Sequence, residues 1–91
     1  MQKSLKSPEY NRLIGLLVAV RDSKKIRQQK LAEKLGKHQS FIAKYEGGER
    51  RLDVIEFIAI ARALGADPVK LFKDFVAGKT APKPKRKSPT K

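Results

Sequence analysis

The sequence predicts an all-α fold: a compact five-helix bundle forming one domain, followed by a disordered basic tail. Three observations lead there. Apolar residues recur three and four apart in five separate stretches between Tyr10 and Val76, the spacing of one helix face. The breaks between stretches carry residues that start or stop helices, with Ser7-Pro8 and Asp67-Pro68 opening two of them and Gly36 and Gly65 closing two others. A length of 91 residues is near the lower limit for a self-sufficient core, which leaves room for one small domain and its tails.

Residues 1–6, MQKSLK, read as a flexible basic arm, and residues 7–76 as the domain. The first helix starts favourably, with a hydroxyl N-cap at Ser7, proline at the first helical position and Glu9 in the first turn. It is expected to run to about Asp22, with Tyr10, Leu13, Leu17 and Val20 as its core stripe. Ile14, Leu16 and Val18 spread apolar surface further around this helix than one small domain needs, so they either border the core or form a partner surface. After the link Ser23 to Ile26, the second helix spans about Arg27 to Leu35, where Leu31 and Leu35 share a face and Ala32 leaves space for a neighbour. Gly36 supplies the turn, and the third helix follows from Gln39 to Glu46. Phe41, Ile42 and Tyr45 carry its apolar surface, while Gln39, Ser40, Ala43 and Lys44 face out.

The loop Gly47 to Leu52 is basic at Arg50 and Arg51. Asp53 with Glu56 three residues later forms a capping-box start for the fourth helix, whose apolar set is Val54, Phe57, Ile58, Ala61 and Leu64. Val69, Phe72, Phe75 and Val76 are expected to close the core from a short fifth helix. Residues 77–91, AGKTAPKPKRKSPTK, have too little apolar content to offset their ordering entropy and are expected to be disordered.

Composition narrows the function classes. The chain holds no cysteine and one histidine, His38, so disulfides, thiolate chemistry and a histidine-based metal cluster are all out of reach. No paired carboxylates, phosphate-binding loop or activated nucleophile is visible, so no enzyme and no cofactor is expected. The longest apolar runs, Leu16 to Val20 and Phe57 to Ala61, are far too short to span a membrane, and a cytoplasmic, nucleoid-associated protein is expected. A net charge of +13 points to a polyanionic partner, above all nucleic acid. Residues 77–91 contribute +6 of it and residues 1–76 the other +7, so the folded part is itself basic. Between Lys24 and Lys44 seven basic residues stand against one acid, Glu33, which places the positive patch on the second and third helices.

At these residues the sequence resembles the Xre/Cro/C1-type helix-turn-helix domain of bacterial and phage regulators, a lambda-repressor-like fold. The resemblance covers roughly Leu13 to Phe75. It rests on Arg21, Gln28, LAEKLG at Leu31 to Gly36, Gln39, Ile42, Tyr45-Glu46, Gly48, Arg50 and IARALGADP at Ile60 to Pro68. Two positions depart from the pattern: Lys37 stands where a buried aliphatic residue is usual, and His38 where a Ser or Thr N-cap is usual. The resemblance implies that Arg21 and Glu46 form a structural ion pair, that Gln28 braces Gln39, and that the loop after the third helix lies near the sugar-phosphate backbone.

The expected function is that of a sequence-specific transcriptional regulator, a repressor on double-stranded DNA with the third helix in the major groove. Gln39, Ser40 and Lys44 are the expected base readers, with Ala43 against a thymine methyl; glutamine suits adenine and lysine suits guanine. Arg27, Gln28, Lys37, Arg50 and Arg51 are the expected phosphate contacts. His38 is expected to serve as a weak cap or an exposed residue in preference to a pH switch. The family resemblance implies a twofold dimer on a palindromic operator, here a weak homodimer through the fifth helix or the apolar surplus of the first. The PKPKRK run in the tail reads as an electrostatic tether in preference to a nuclear-import signal. Two alternatives stay open: an antitoxin-type regulator that binds a protein partner, and a nonspecific nucleoid or RNA-binding protein.

Overall fold

The computed structural model describes residues 7–79, which fold into five helices: α1 (Pro8–Ser23), α2 (Gln28–Leu35), α3 (Gln39–Glu46), α4 (Val54–Ala63) and α5 (Pro68–Val76). The basic arm, residues 1–6, and all but the first three residues of the basic tail lie outside the described residues. Helix starts follow local chemistry. Ser7 Oγ accepts from the Tyr10 N–H (3.1 Å), and Asp67 Oδ1 from the Val69 N–H (2.9 Å). Asp53 and Glu56 close a reciprocal capping box, in which Asp53 Oδ1 accepts from the Glu56 N–H (2.7 Å) and the Asp53 N–H donates to Glu56 Oε1 (3.0 Å). Gly36 ends α2 with φ of 68°, a left-handed conformation that an L side chain would strain.

α2 packs on α3 and α4, while α1 straps across α3 and α5. The core draws Tyr10, Ile14 and Leu17 from α1, Leu31 and Ala32 from α2, Ile42 and Tyr45 from α3, Phe57, Ile60 and Ala61 from α4, then Leu64 and Leu71. The buried stripe of α1 is therefore Tyr10, Ile14 and Leu17, with Leu16 also buried and Leu13 and Val20 only half-buried. Ile14 and Leu16 are thus not a spare partner surface. Because α1 is covered by α3 on one side and α5 on the other, it buries a wider arc than a single stripe.

Two further expectations are corrected. In α4 the inward residues are Phe57, Ile60 and Ala61, whereas Val54, at the first helical position, is 70% exposed because it lies past the edge of the core. In α5 it is Leu71 that is buried, with Phe75 half-buried; Val69 and Val76 are exposed and do not close the core, while Phe72, also largely exposed, packs on the buried Phe57 ring at 6.3 Å. This helix has two apolar stripes, one through Leu71 and Phe75 and one through Val69, Phe72 and Val76, and spacing does not say which turns inward. Contact with α1 and α4 selects the first. No helix among the described residues is long and apolar enough to cross a membrane.

Side-chain ties hold the connections. The Tyr10 hydroxyl donates to the Arg50 carbonyl (3.2 Å) and accepts from the Leu52 N–H (3.0 Å), which pins the α3–α4 loop to α1. Arg12 Nη1 donates to the Phe75 carbonyl (2.8 Å) and lies over the Phe75 ring, fastening the end of α5. Arg50 clasps Glu56 through both nitrogens (2.9 and 2.7 Å). That bidentate bond, with the Asp53 N–H, holds the Glu56 carboxyl at about 2, against an ordinary value of 4.5. A carboxylate favoured by the fold contributes its full stability above pH 4.5 and loses it as pH falls toward about 2. Thermal melts of the wild type should therefore drop across this acid window, and Glu56→Gln, which keeps the capping acceptor, should show a flatter decline. Parallel declines in the two proteins would exclude Glu56 as the acid-sensitive group.

Candidate nucleic-acid interface

The exposed face of α3 carries Gln39, Ser40, Ala43 and Lys44, two pairs four residues apart, while Ile42 and Tyr45 point inward and are fully buried. α3 begins with an unusual cap. His38 Nδ1 accepts from the Ser40 N–H (3.1 Å), doing with an imidazole what a Ser or Thr oxygen ordinarily does, and the Ser40 hydroxyl lies at 3.1 Å from the same nitrogen. An accepting Nδ1 places the ring proton on Nε2.

Behind this face runs a continuous chain of polar contacts. Arg21 Nε donates to Glu46 Oε2 (2.7 Å) and Arg21 Nη2 to Glu46 Oε1 (3.0 Å), a bidentate pair with side chains only 13% and 8% exposed. Arg21 Nη1 donates to the Ile26 carbonyl in the α1–α2 link (2.7 Å). Gln28 Nε2, at the first position of α2, donates to Glu46 Oε1 (2.8 Å), and Gln28 Oε1 accepts from Gln39 Nε2 (3.1 Å). The Gln39 amide is thereby oriented from behind. One of its N–H groups is committed to Gln28, leaving the other N–H and Oε1 for an external partner.

The cations flanking α3 are held by aromatic rings. Lys37 Nζ lies 5.4 Å and the Arg50 guanidinium 4.8 Å from the centroid of Phe41, whose ring also packs at 5.8 Å from that of Tyr45. Lys37 is exposed, so its charge sits at the surface although an aliphatic residue is usual there. Arg51 lies over the Tyr10 ring at 4.6 Å. Arg50 differs from the other expected phosphate contacts because Glu56 and the Arg51 carbonyl already hold its guanidinium. Arg27 is exposed at the N-cap of α2, where it makes no side-chain capping bond.

The sequence reading overlooked three contributors. Phe41 serves as a platform for Lys37 and Arg50, Glu56 fixes the loop as well as its own helix, and the Tyr10 hydroxyl anchors that loop. Glu56 left a signal in its capping spacing to Asp53 and Phe41 a weaker one in its four-residue spacing from Lys37, whereas the Tyr10 contacts join residues some forty apart in the chain. Tyr45, by contrast, buries a hydroxyl with no partner among the described residues, and burial raises its phenol above the ordinary value.

Removing one member of a buried pair strands the other charge, which costs about 3–5 kcal/mol. Arg21→Ala should accordingly melt more than about 10 °C below the wild type, given the entropy change of a domain this size. An unchanged melting temperature would deny the pair its structural role.

Comparison with known proteins places this geometry. A family model described as helix-turn-helix matches residues 17–71. An XRE-family like protein from Pseudomonas syringae pv. tomato superposes with a TM-score of 0.74 at 45% identity, over 76% of this chain and 84% of that one. The clp gene regulator ClgR from C. glutamicum shares the fold at a TM-score of 0.68 and 18% identity, over 79% of this chain and 94% of that one. A search of curated proteins returns no match. The match across α1 to α5, together with the two-helix unit and its braced glutamines, identifies the chain as a member of the Xre/Cro/C1-type helix-turn-helix family of DNA-binding regulators.

Proposed function

We propose that this chain is a sequence-specific repressor that occludes a palindromic operator as a twofold dimer, each copy laying α3 in the major groove. The observation that carries this proposal is the bracing of Gln39 by Gln28 and of Gln28 by Glu46. A surface glutamine that merely solubilises a helix has no need of a partner that is itself fixed from behind. Held this way, Gln39 offers one acceptor and one donor side by side, the pattern that adenine N6 and N7 require. Lys44 on the same face suits guanine, Ser40 suits either purine, and Ala43 suits a thymine methyl.

Phosphate contacts set the register. The remaining Gln28 N–H and the first amides of α2, beside Arg27, form a donor cluster suited to one phosphate. Lys37 and Arg51, posed on Phe41 and Tyr10, would supply further backbone contacts. Arg50 would contribute mainly by shaping the loop.

The decisive experiment is selection from a random DNA library at near-physiological salt. Enrichment of a palindrome with half-sites about ten base pairs apart is expected, and Gln39→Ala should lose discrimination at one position by about 1–3 kcal/mol while keeping its nonspecific affinity. Equal binding of all sequences by the wild type would replace this proposal with a charge-driven nucleic-acid binder. A second measurement addresses the tail. Residues 80–91 carry five basic side chains and no acid, so their deletion should weaken binding to every sequence alike and flatten the salt dependence. A change in the preferred sequence would refute the tether.

A further inference from the structure

The cap of α3 carries chemistry that a serine or threonine cap lacks. His38 Nδ1 stands 3.1 Å from two atoms of Ser40, the backbone nitrogen and the hydroxyl oxygen, and both residues are exposed. A neutral imidazole with its proton on Nε2 is an acceptor at Nδ1, so it takes both the Ser40 N–H and the Ser40 O–H. The hydroxyl proton is then turned inward, and the oxygen shows only lone pairs to the outside. A protonated imidazole carries an N–H at both ring positions. Nδ1 then donates to the Ser40 oxygen, the backbone N–H loses its acceptor, and the hydroxyl proton is free to point outward.

We infer that His38 determines which bases Ser40 selects, by setting whether that hydroxyl accepts or donates in the groove. The inference deepens the function proposed above and rests on it for placing Ser40 against a base edge. With His38 neutral, Ser40 accepts, which suits the N4 amino group of cytosine. With His38 charged, Ser40 donates, which suits O6 and N7 of guanine and O4 of thymine. Adenine offers both a donor at N6 and an acceptor at N7, so it suits either state. Capping and titration are thus one device, because the proton that ends the cap also reverses the hydroxyl.

Histidine is the side chain that ordinarily changes charge between pH 5 and 8, and His38 is the one histidine of a chain without cysteine. The elements around α3 bring further charges: Lys30, Glu33 and Lys34 from α2, Lys37 from the link, Arg21 from α1, and Glu49, Arg50 and Arg51 from the loop that follows. α3 itself adds Lys44 and Glu46. Glu46 is taken by Arg21, Glu56 of α4 by Arg50, and Glu33 lies 3.9 Å from Lys30. Among the described residues no carboxylate forms an ion pair with His38, which leaves Ser40 as its polar side-chain partner.

Selection from a random DNA library at pH 8 and at pH 6, with salt held fixed, tests the inference on the full chain as wild type, His38→Ser and Ser40→Ala. His38→Ser keeps a capping oxygen that does not change charge. In the wild type the ratio of guanine or thymine to cytosine at one position should rise at least about threefold on going to pH 6, with adenine changing least. Both variants should show the same preferences at the two pH values. A charged ring also attracts phosphate and tightens binding to every sequence, so the readout is the preference at that position and not the affinity. A wild-type preference indifferent to pH overturns the inference, as does a shift that persists in either variant or that spreads over all positions. Nitrogen NMR of the free protein checks the couple without DNA. The ring proton should sit on Nε2 at pH 8, and the Ser40 amide resonance should move in step with the ring as pH falls; a proton on Nδ1 or an unmoved amide would also overturn it. Absence of any enriched sequence at both pH values sinks the proposed function and the readout together, whereas an enriched operator without the shift sinks the readout alone.

Discussion

The Arg21–Glu46 pair is the constraint on which the exposed polar face of α3 depends. α3 has eight residues, and a helix that short is marginal by itself. Its inner face is held by Ile42 and Tyr45, but those contacts fix only where the helix lies. Glu46, at its last position, fixes the rotation of its polar side. Both carboxylate oxygens are taken by Arg21 from α1, and one also accepts from Gln28 of α2. Two charges withdrawn from water are tolerated because nearly every donor and acceptor has a partner, including the Ile26 carbonyl for the remaining guanidinium nitrogen. The outcome is positional: the orientation of Gln39 at the surface is inherited through Gln28 from an ion pair beneath it.

A second set of ties performs the same task for the α3–α4 loop. The Tyr10 hydroxyl binds the backbone of Arg50 and Leu52, while the Arg50 side chain clasps Glu56 at the start of α4. The loop is therefore held from α1 on one side and α4 on the other. Phe41 adds a platform on which two cations rest, so Lys37 and Arg50 are placed by a ring and not by their own flexible stems. Electrostatics supply attraction to any polyanion, and these ties give that attraction a geometry.

The apolar surface is divided just as unevenly. α1 is covered on two flanks and uses nearly all of its hydrophobic residues, whereas α5, at the edge of the bundle, buries one stripe and leaves the other open. The exposed polar face of α3 and the open apolar stripe of α5 thus lie on different helices.

The sequence by itself determined the number of helices, where each begins and ends, and the two-helix unit, because caps, prolines and glycines act within a few residues and leave local marks. Ser7, Asp53 and Asp67 each cap the helix that follows, and Gly36 takes the left-handed turn. The resemblance to a known family pointed to two pairs, Arg21 with Glu46 and Gln28 with Gln39; the Gln28–Glu46 bond that joins them came from the structure. The tertiary structure decided which of several apolar residues turn inward. Ile14 and Leu16 in α1, Ile60 in place of Val54 in α4, and Leu71 in place of Val69, Phe72 and Val76 in α5 were settled by what packs beside each helix. It also decided that His38 caps with its ring and that Arg50 is already engaged. Periodicity records that a helix has an apolar face, but when it has two, only the neighbouring helix selects between them, and that neighbour is remote in the chain.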